Sequence, residues 1–165
     1  MSKNKLAPPA KGFTLIELLV ALTIISILSA VVLVALKPAQ RLSDSRDAKR
    51  AQDINQVLTG IHECVIDKND GAPMNTCLGT HSENVTYEIV QGAISSGCDD
   101  VCTGATSDSS CLNLGTTLSD YFIDLPSDPS GLTAGHTGYS LKQYPNGMVV
   151  VEACAAEGSP IKVSR

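Results

Sequence analysis

The sequence predicts an α+β protein: a long N-terminal helix, half membrane-spanning and half amphipathic, packed on a small antiparallel sheet with a cysteine-rich loop. Three observations carry that prediction. An apolar run of helical length lies near the start, and an amphipathic stretch with helical spacing follows it. The remainder shifts to Gly, Ser, Thr, Asp and Cys, with a hairpin signal near the end. The 165 residues suffice for one domain of ordinary size.

The apolar run covers 24 consecutive residues, Phe13 to Leu36, with a single charge at Glu17. A helix of about 20 apolar residues crosses the hydrocarbon core of a bilayer. A cleaved secretory signal has a shorter apolar region, about 7–15 residues, ending in a small-x-small site. Here Ile27 stands three residues before the cut that Ala30 would define, where that site would need a small residue. The run therefore reads as a membrane-spanning helix over 13–36.

Orientation rests on the cysteines. Lys3, Lys5 and Lys11 precede the span, and Lys37, Arg41, Arg46, Lys49 and Arg50 follow it. A plain count of these would put the following side in the cytoplasm. All six cysteines lie after the span, and they oxidise only if that side faces out. The expected topology is a single pass through the cell membrane with an extracytoplasmic head.

The junction reads Lys11-Gly12-Phe13-Thr14-Leu15-Ile16-Glu17-Leu18. A short basic leader, a glycine, a phenylalanine and an apolar helix with Glu five residues after the glycine resemble the class III prepilin signal. That signal marks type IV pilins and the pseudopilins of type II secretion systems. The resemblance implies that a membrane aspartyl peptidase removes the leader 1–12 on the cytoplasmic side, between Gly12 and Phe13, and N-methylates Phe13. Gly12 suits such a cut, because a residue without Cβ lets the backbone enter a tight groove.

Glu17 calls for a physical reason of its own. A carboxylate in a membrane span costs about 2.5–3.5 kcal/mol on insertion scales. One reading places it near the end of the span, reaching the headgroups at a lower cost. The other uses the ammonium that cleavage would free at Phe13, four residues earlier and on the same helix face. In a second, staggered helix that amine can sit against this carboxylate, so that each buried charge has a partner. The resemblance implies the same role, with Glu17 guiding subunits into a growing filament. The partners it implies are a prepilin peptidase, an inner-membrane assembly platform and further copies of the chain. These copies would lie in the membrane before assembly and in an extracellular or periplasmic filament afterwards.

Beyond the span, Ile54, Val57, Leu58, Ile61 and Val65 fall at helical spacing. Lys49/Asp53 at i, i+4 and Asp47/Arg50 at i, i+3 are typical of a solvated face. One helix is expected from about Thr14 to about Asp67, kinked near Pro38, with 37–67 as its amphipathic extension. The stretch from Arg41 to Glu63 is similar to the start of the soluble domain in pseudopilins. Lys68-Asn69-Asp70-Gly71 reads as the turn that stops the helix, and 68–165 form the head.

In the head, Tyr139–Tyr144, Pro145-Asn146-Gly147 and Met148–Ala153 read as a β-hairpin. Val85–Val90 is a weaker strand, and Gln91–Thr117 an irregular loop. Cys64, Cys77, Cys98, Cys102, Cys111 and Cys154 allow 15 pairings. At least two disulfides are expected, one of them within Cys98/Cys102/Cys111. The rival reading of those three, with His81, is a zinc site of loose spacing.

Asp124, Ser127 and Asp128 in IDLPSDPS offer oxygen ligands for calcium, or form a Pro-rich turn joining elements. The LPSDP segment resembles the calcium loop of major pseudopilins. No other cofactor is indicated. His62-Glu63 lacks the second His of a zinc-protease motif, and Asn84-Val85-Thr86 fits the glycosylation triplet. No catalytic Ser/His/Asp or Cys/His set stands out, so an enzyme is not expected. A net charge of −5 argues against a basic nucleic-acid surface. The expected function is a structural filament subunit. Its alternatives are a membrane-tethered binding domain that never polymerises, or a major pseudopilin of type II secretion.

Overall fold

The computed structural model describes residues 12–68, 75–102, 107 and 109–165. Residues 1–11 of the leader and the turn residues Asn69, Asp70 and Gly71 lie outside the described residues. The chain forms two compact units, one ending at Arg41 and the other beginning at Leu42.

The first unit is dominated by helix α1, Leu15–Leu36. Its length and composition suit a membrane crossing. Among the described residues, no α1 side chain is buried. Its hydroxyls are satisfied locally: Thr23 Oγ1 donates to the Val20 carbonyl at 2.8 Å and Ser26 Oγ to that of Leu22 at 2.7 Å. No water is needed to complete them, as a hydrocarbon setting requires.

The kink expected near Pro38 falls at Lys37. That residue adopts the left-handed conformation, φ 43°, and a second helix, α2, runs Pro38–Asp67. Proline bars its predecessor from the right-handed helical region, and its own fixed φ suits the first turn of a new helix. The Lys37 carbonyl accepts from the Gln40 and Arg41 amides at 3.1 and 3.3 Å, which seeds that turn.

In the second unit the described sheet has five strands: β1 Thr86–Val90, β2 Cys111–Asn113, β3 His136–Gln143, β4 Val149–Ala153 and β5 Ile161–Ser164. Their order is β2-β1-β3-β4-β5. The sheet is mixed, which corrects the antiparallel expectation. The β1/β3, β3/β4 and β4/β5 pairs are antiparallel, whereas β1 and β2 run parallel. Parallel neighbours demand a crossover of a dozen or more residues. The segment expected to be an irregular loop supplies it, and holds helix α4, Cys98–Val101, before β2 and α5, Leu114–Thr117, after it. A further short helix, α3, spans Asn75–Leu78.

The core follows the period of two along each strand. Tyr139 and Leu141 pair with Ala153 and Val151 and share a face with Ile89 and Leu112. That face meets the predicted stripe on α2, where Ile54, Val57, Leu58 and Ile61 are buried beside Cys64. Aliphatic side chains of this size gain about 1.5–3 kcal/mol each on full burial. The opposite face carries Ser140, Lys142, Val150 and Glu152. The hairpin closes through Pro145-Asn146-Gly147, where Gly147 takes φ 82° and donates to the Tyr144 carbonyl at 2.9 Å.

All six cysteines are paired: Cys64–Cys77, Cys98–Cys111 and Cys102–Cys154. The first ties the end of α2 to α3. The second closes the crossover, and the third anchors it beside the end of β4.

Candidate assembly site and the buried charge cluster

Residues 12–17 place the expected processing and docking groups at the start of α1. An added methyl at Gly12 would meet no atom within 4 Å, and Phe13 is 91% exposed. Thr14 is the N-cap, with extended backbone. Its amide and its Oγ1 both donate to Glu17 Oε2, at 2.8 and 2.9 Å, and the Glu17 amide donates back to Thr14 Oγ1 at 3.3 Å. This is a capping box, the reciprocal pairing that T-x-x-E sequences make at helix starts. The sequence explained Glu17 by nearby headgroups or by an amine, although Thr14-Leu15-Ile16-Glu17 carries the cap in plain view.

The largest departure from expectation lies on α2. Arg50 and Asp53, read as a solvated face, are fully or almost fully buried. Arg50 Nε and Nη2 donate to the two oxygens of Asp128 at 2.6 and 3.0 Å. Its Nη2 also donates to Ser130 Oγ at 2.7 Å, and its Nη1 to Asp47 at 2.7 Å and Glu157 at 3.2 Å. Asp53 accepts from the Tyr139 hydroxyl and from Lys49 Nζ, each at 2.8 Å. Arg46 closes the cluster, donating to both Glu157 oxygens at 2.5 and 2.6 Å.

Such burial is tolerable only if every lone pair and proton is used. Among the described residues, no buried side-chain polar atom lacks a partner. The electrostatics follow. Burial pushes the Asp128 carboxyl up, but the Arg50 and Ser130 hydrogen bonds outweigh it and hold it below its ordinary value. Glu157 is held down to about 2, chiefly by its hydrogen bond from Arg46. The Tyr139 phenol is raised by burial and then by the neighbouring Asp53.

This cluster fixes where the expected metal ligands lie. Asp128 is committed to Arg50 and to the Ser130 amide. Asp124 and Ser127 are exposed beside it, on a cavity of about 330 Å³, and Asp124 accepts from Gln91 Nε2 at 2.8 Å. The zinc alternative is overturned in its cysteines, since Cys98 and Cys111 are bonded to each other and Cys102 to Cys154. His81 is engaged elsewhere, with the Gly79 carbonyl at 2.9 Å and the Gln143 side chain.

A second buried acid escaped the sequence reading. Glu88 lies on the outer face of β1, yet is fully buried. It pairs with His136 Nδ1 at 3.0 Å. Helix α4 packs over β1 and β3 there, which converts an outward strand position into an interior one.

Residues 8–33 match the family model described as the prokaryotic N-terminal methylation motif. The chain carries the class III signal of the type IV pilins and pseudopilins. No curated protein and no solved structure matches it. The long N-terminal helical segment, the sheet and the disulfides fit a pilin-like α+β fold. The motif is that of a structural class of proteins rather than of an enzyme class.

Proposed function

We propose that this chain is the structural subunit of a type IV pilus or pilus-like filament. It is made as a precursor, cleaved after Gly12, N-methylated on Phe13 and polymerised through α1. The carrying observation is the methylation motif over 8–33, joined to an apolar helix with all its described side chains exposed. Exposed apolar surface on this scale calls for lipid before assembly and for other copies of α1 afterwards. A prepilin peptidase and an inner-membrane assembly platform are the partners this reading requires. The three disulfides support an extracytoplasmic head.

In this reading Glu17 changes partner. In the free subunit it caps α1 through Thr14. In the filament it receives the methylated ammonium of a neighbouring Phe13, a charge-assisted hydrogen bond stronger than a neutral one. Before cleavage the amine does not exist, so processing licenses assembly.

Mass spectrometry of the mature amino terminus tests the first step. A chain beginning at N-methyl-Phe13 is expected, and one that retains its leader and stays monomeric in lipid would favour a tethered, non-polymerising domain. Glu17→Ala is expected to leave processing intact and to abolish most filament growth by electron microscopy. Normal filaments from that variant would remove the charge-pairing mechanism.

A further inference from the structure

Two lysines of the head stand apart from the cations of α2. On α2, Arg46, Lys49 and Arg50 are consumed by Glu157, Asp53 and Asp128. Lys142 and Lys162 stand instead on the outer face of the sheet, opposite α2. Lys142 Nζ lies 5.0 Å from the centre of the Tyr144 ring, and Lys162 is 3.7 Å from Glu152 and more than half exposed. Between them runs a groove of about 220 Å³, lined by Tyr144, Met148 and Val150 and also by Ser140, Ser164 and the carboxylate of Glu152. Its surface is part apolar and part polar, with two ammonium groups against one carboxylate.

The same head displays the complementary shape. The segment Asp120-Tyr121-Phe122-Ile123-Asp124 leaves α5 and leans on α2. The Tyr121 hydroxyl donates to Asp67 at 2.9 Å, and the Phe122 ring lies over Gly60, where a methyl would overlap it. Ile123 is 99% exposed. A lone exposed isoleucine means little, but this one stands between two exposed carboxylates, Asp120 and Asp124. Glu63 and Asp67 add negative charge around Tyr121.

We propose that the groove between Lys142 and Lys162 is a docking site for the Asp120–Asp124 segment of a second copy of this chain, with Ile123 against Val150 and Met148. Charge complementarity selects the occupant: an isoleucine between two acids fits the Met148 and Val150 patch of a groove that carries two lysines against the single carboxylate of Glu152. The segment rests on α2, while the groove opens on the sheet face turned away from α2. The two surfaces are therefore on opposite sides of one compact unit and cannot be shared by a closed two-fold pair. Such a heterologous contact propagates from copy to copy, into a ring or a helix. This deepens the filament reading, and rests on it, by naming the head-to-head contact that accompanies packing of α1.

The test uses the full-length chain, produced as an equal mixture of ¹⁴N and ¹⁵N copies in a host that assembles it. Sheared filaments are treated with a zero-length carbodiimide cross-linker and mapped by mass spectrometry. Isopeptides joining Lys142 or Lys162 of one isotope to Asp120 or Asp124 of the other are expected. They should fall severalfold in Lys142→Glu/Lys162→Glu and return when Asp120→Lys/Asp124→Lys is added. Filaments without these mixed-isotope links, or with links elsewhere on the heads, would overturn the docking site and leave the filament reading standing. If no filaments form, the filament reading fails. The same cross-linking of the detergent-extracted chain then decides the contact, and its absence there overturns it.

Discussion

Arg50 shows how much one side chain can organise. Its guanidinium joins α2 to the loop bearing Asp128 and Ser130 and to Glu157 near the chain end, residues 78 to 107 positions away. Arg50→Ala would strand Asp128 as a buried charge, and a loss of about 3–5 kcal/mol in unfolding free energy is expected. Denaturant titration of the full chain in detergent measures it, and Arg50→Ala/Asp128→Ala should cost less than the sum of the single variants. The acids of the cluster also set a pH dependence. Glu157, Asp47 and Asp128 all lie below their ordinary values in the folded state. Their stabilisation is complete above the unfolded carboxylate range and is lost as the pH falls from about 4.5 toward 2. Tyr139 acts at the other end: its raised phenol pKa removes stability as the pH climbs past 10.0. Unfolding midpoints between pH 2 and pH 11 should trace a plateau with both shoulders, and a flat acid limb would contradict the cluster.

At the scale of elements, the disulfides staple what the small core leaves loose. Cys98–Cys111 and Cys102–Cys154 close intervals of 13 and 52 residues. Loop-closure entropy assigns them about 3 and about 4 kcal/mol respectively. Cys102→Ser/Cys154→Ser should therefore lower the thermal midpoint more than Cys98→Ser/Cys111→Ser, as followed by circular dichroism. The legibility of the elements in the sequence divides along the same line, local against distant. The apolar α1, the aliphatic stripe of α2 and the Asn-Gly hairpin depend on spacing within a few residues, and each lies where periodicity puts it. Strands β2 and β5 have three and four residues, too few for a pattern, and exist because a neighbour pairs with them. The burial of Arg50 and Asp53 was unreadable for a stronger reason. Their i, i+3 and i, i+4 partners imitate a solvated face, while the groups that bury them, Asp128 and Tyr139, lie 78 and 86 residues on. Glu88 follows the same logic, because only the crossover helix makes its strand position interior.

At the scale of the whole molecule, the two units divide the labour. The core cluster is contained in the second unit, and the bonded partner of Glu17 is Thr14 in the first. Glu17→Ala is accordingly expected to leave the thermal midpoint of the head unchanged in detergent. A shift of several degrees would mean that the anchor contributes to the stability of the head. The capping box at the head of α1 carries a consequence for timing. An acid dissolved in lipid with no companion would pull subunits into chance aggregates, whereas one already clasped by the preceding threonine can idle. Under the proposed filament function, a cell would hold a reserve of quiescent subunits and spend them only when a better-charged suitor displaces the clasp.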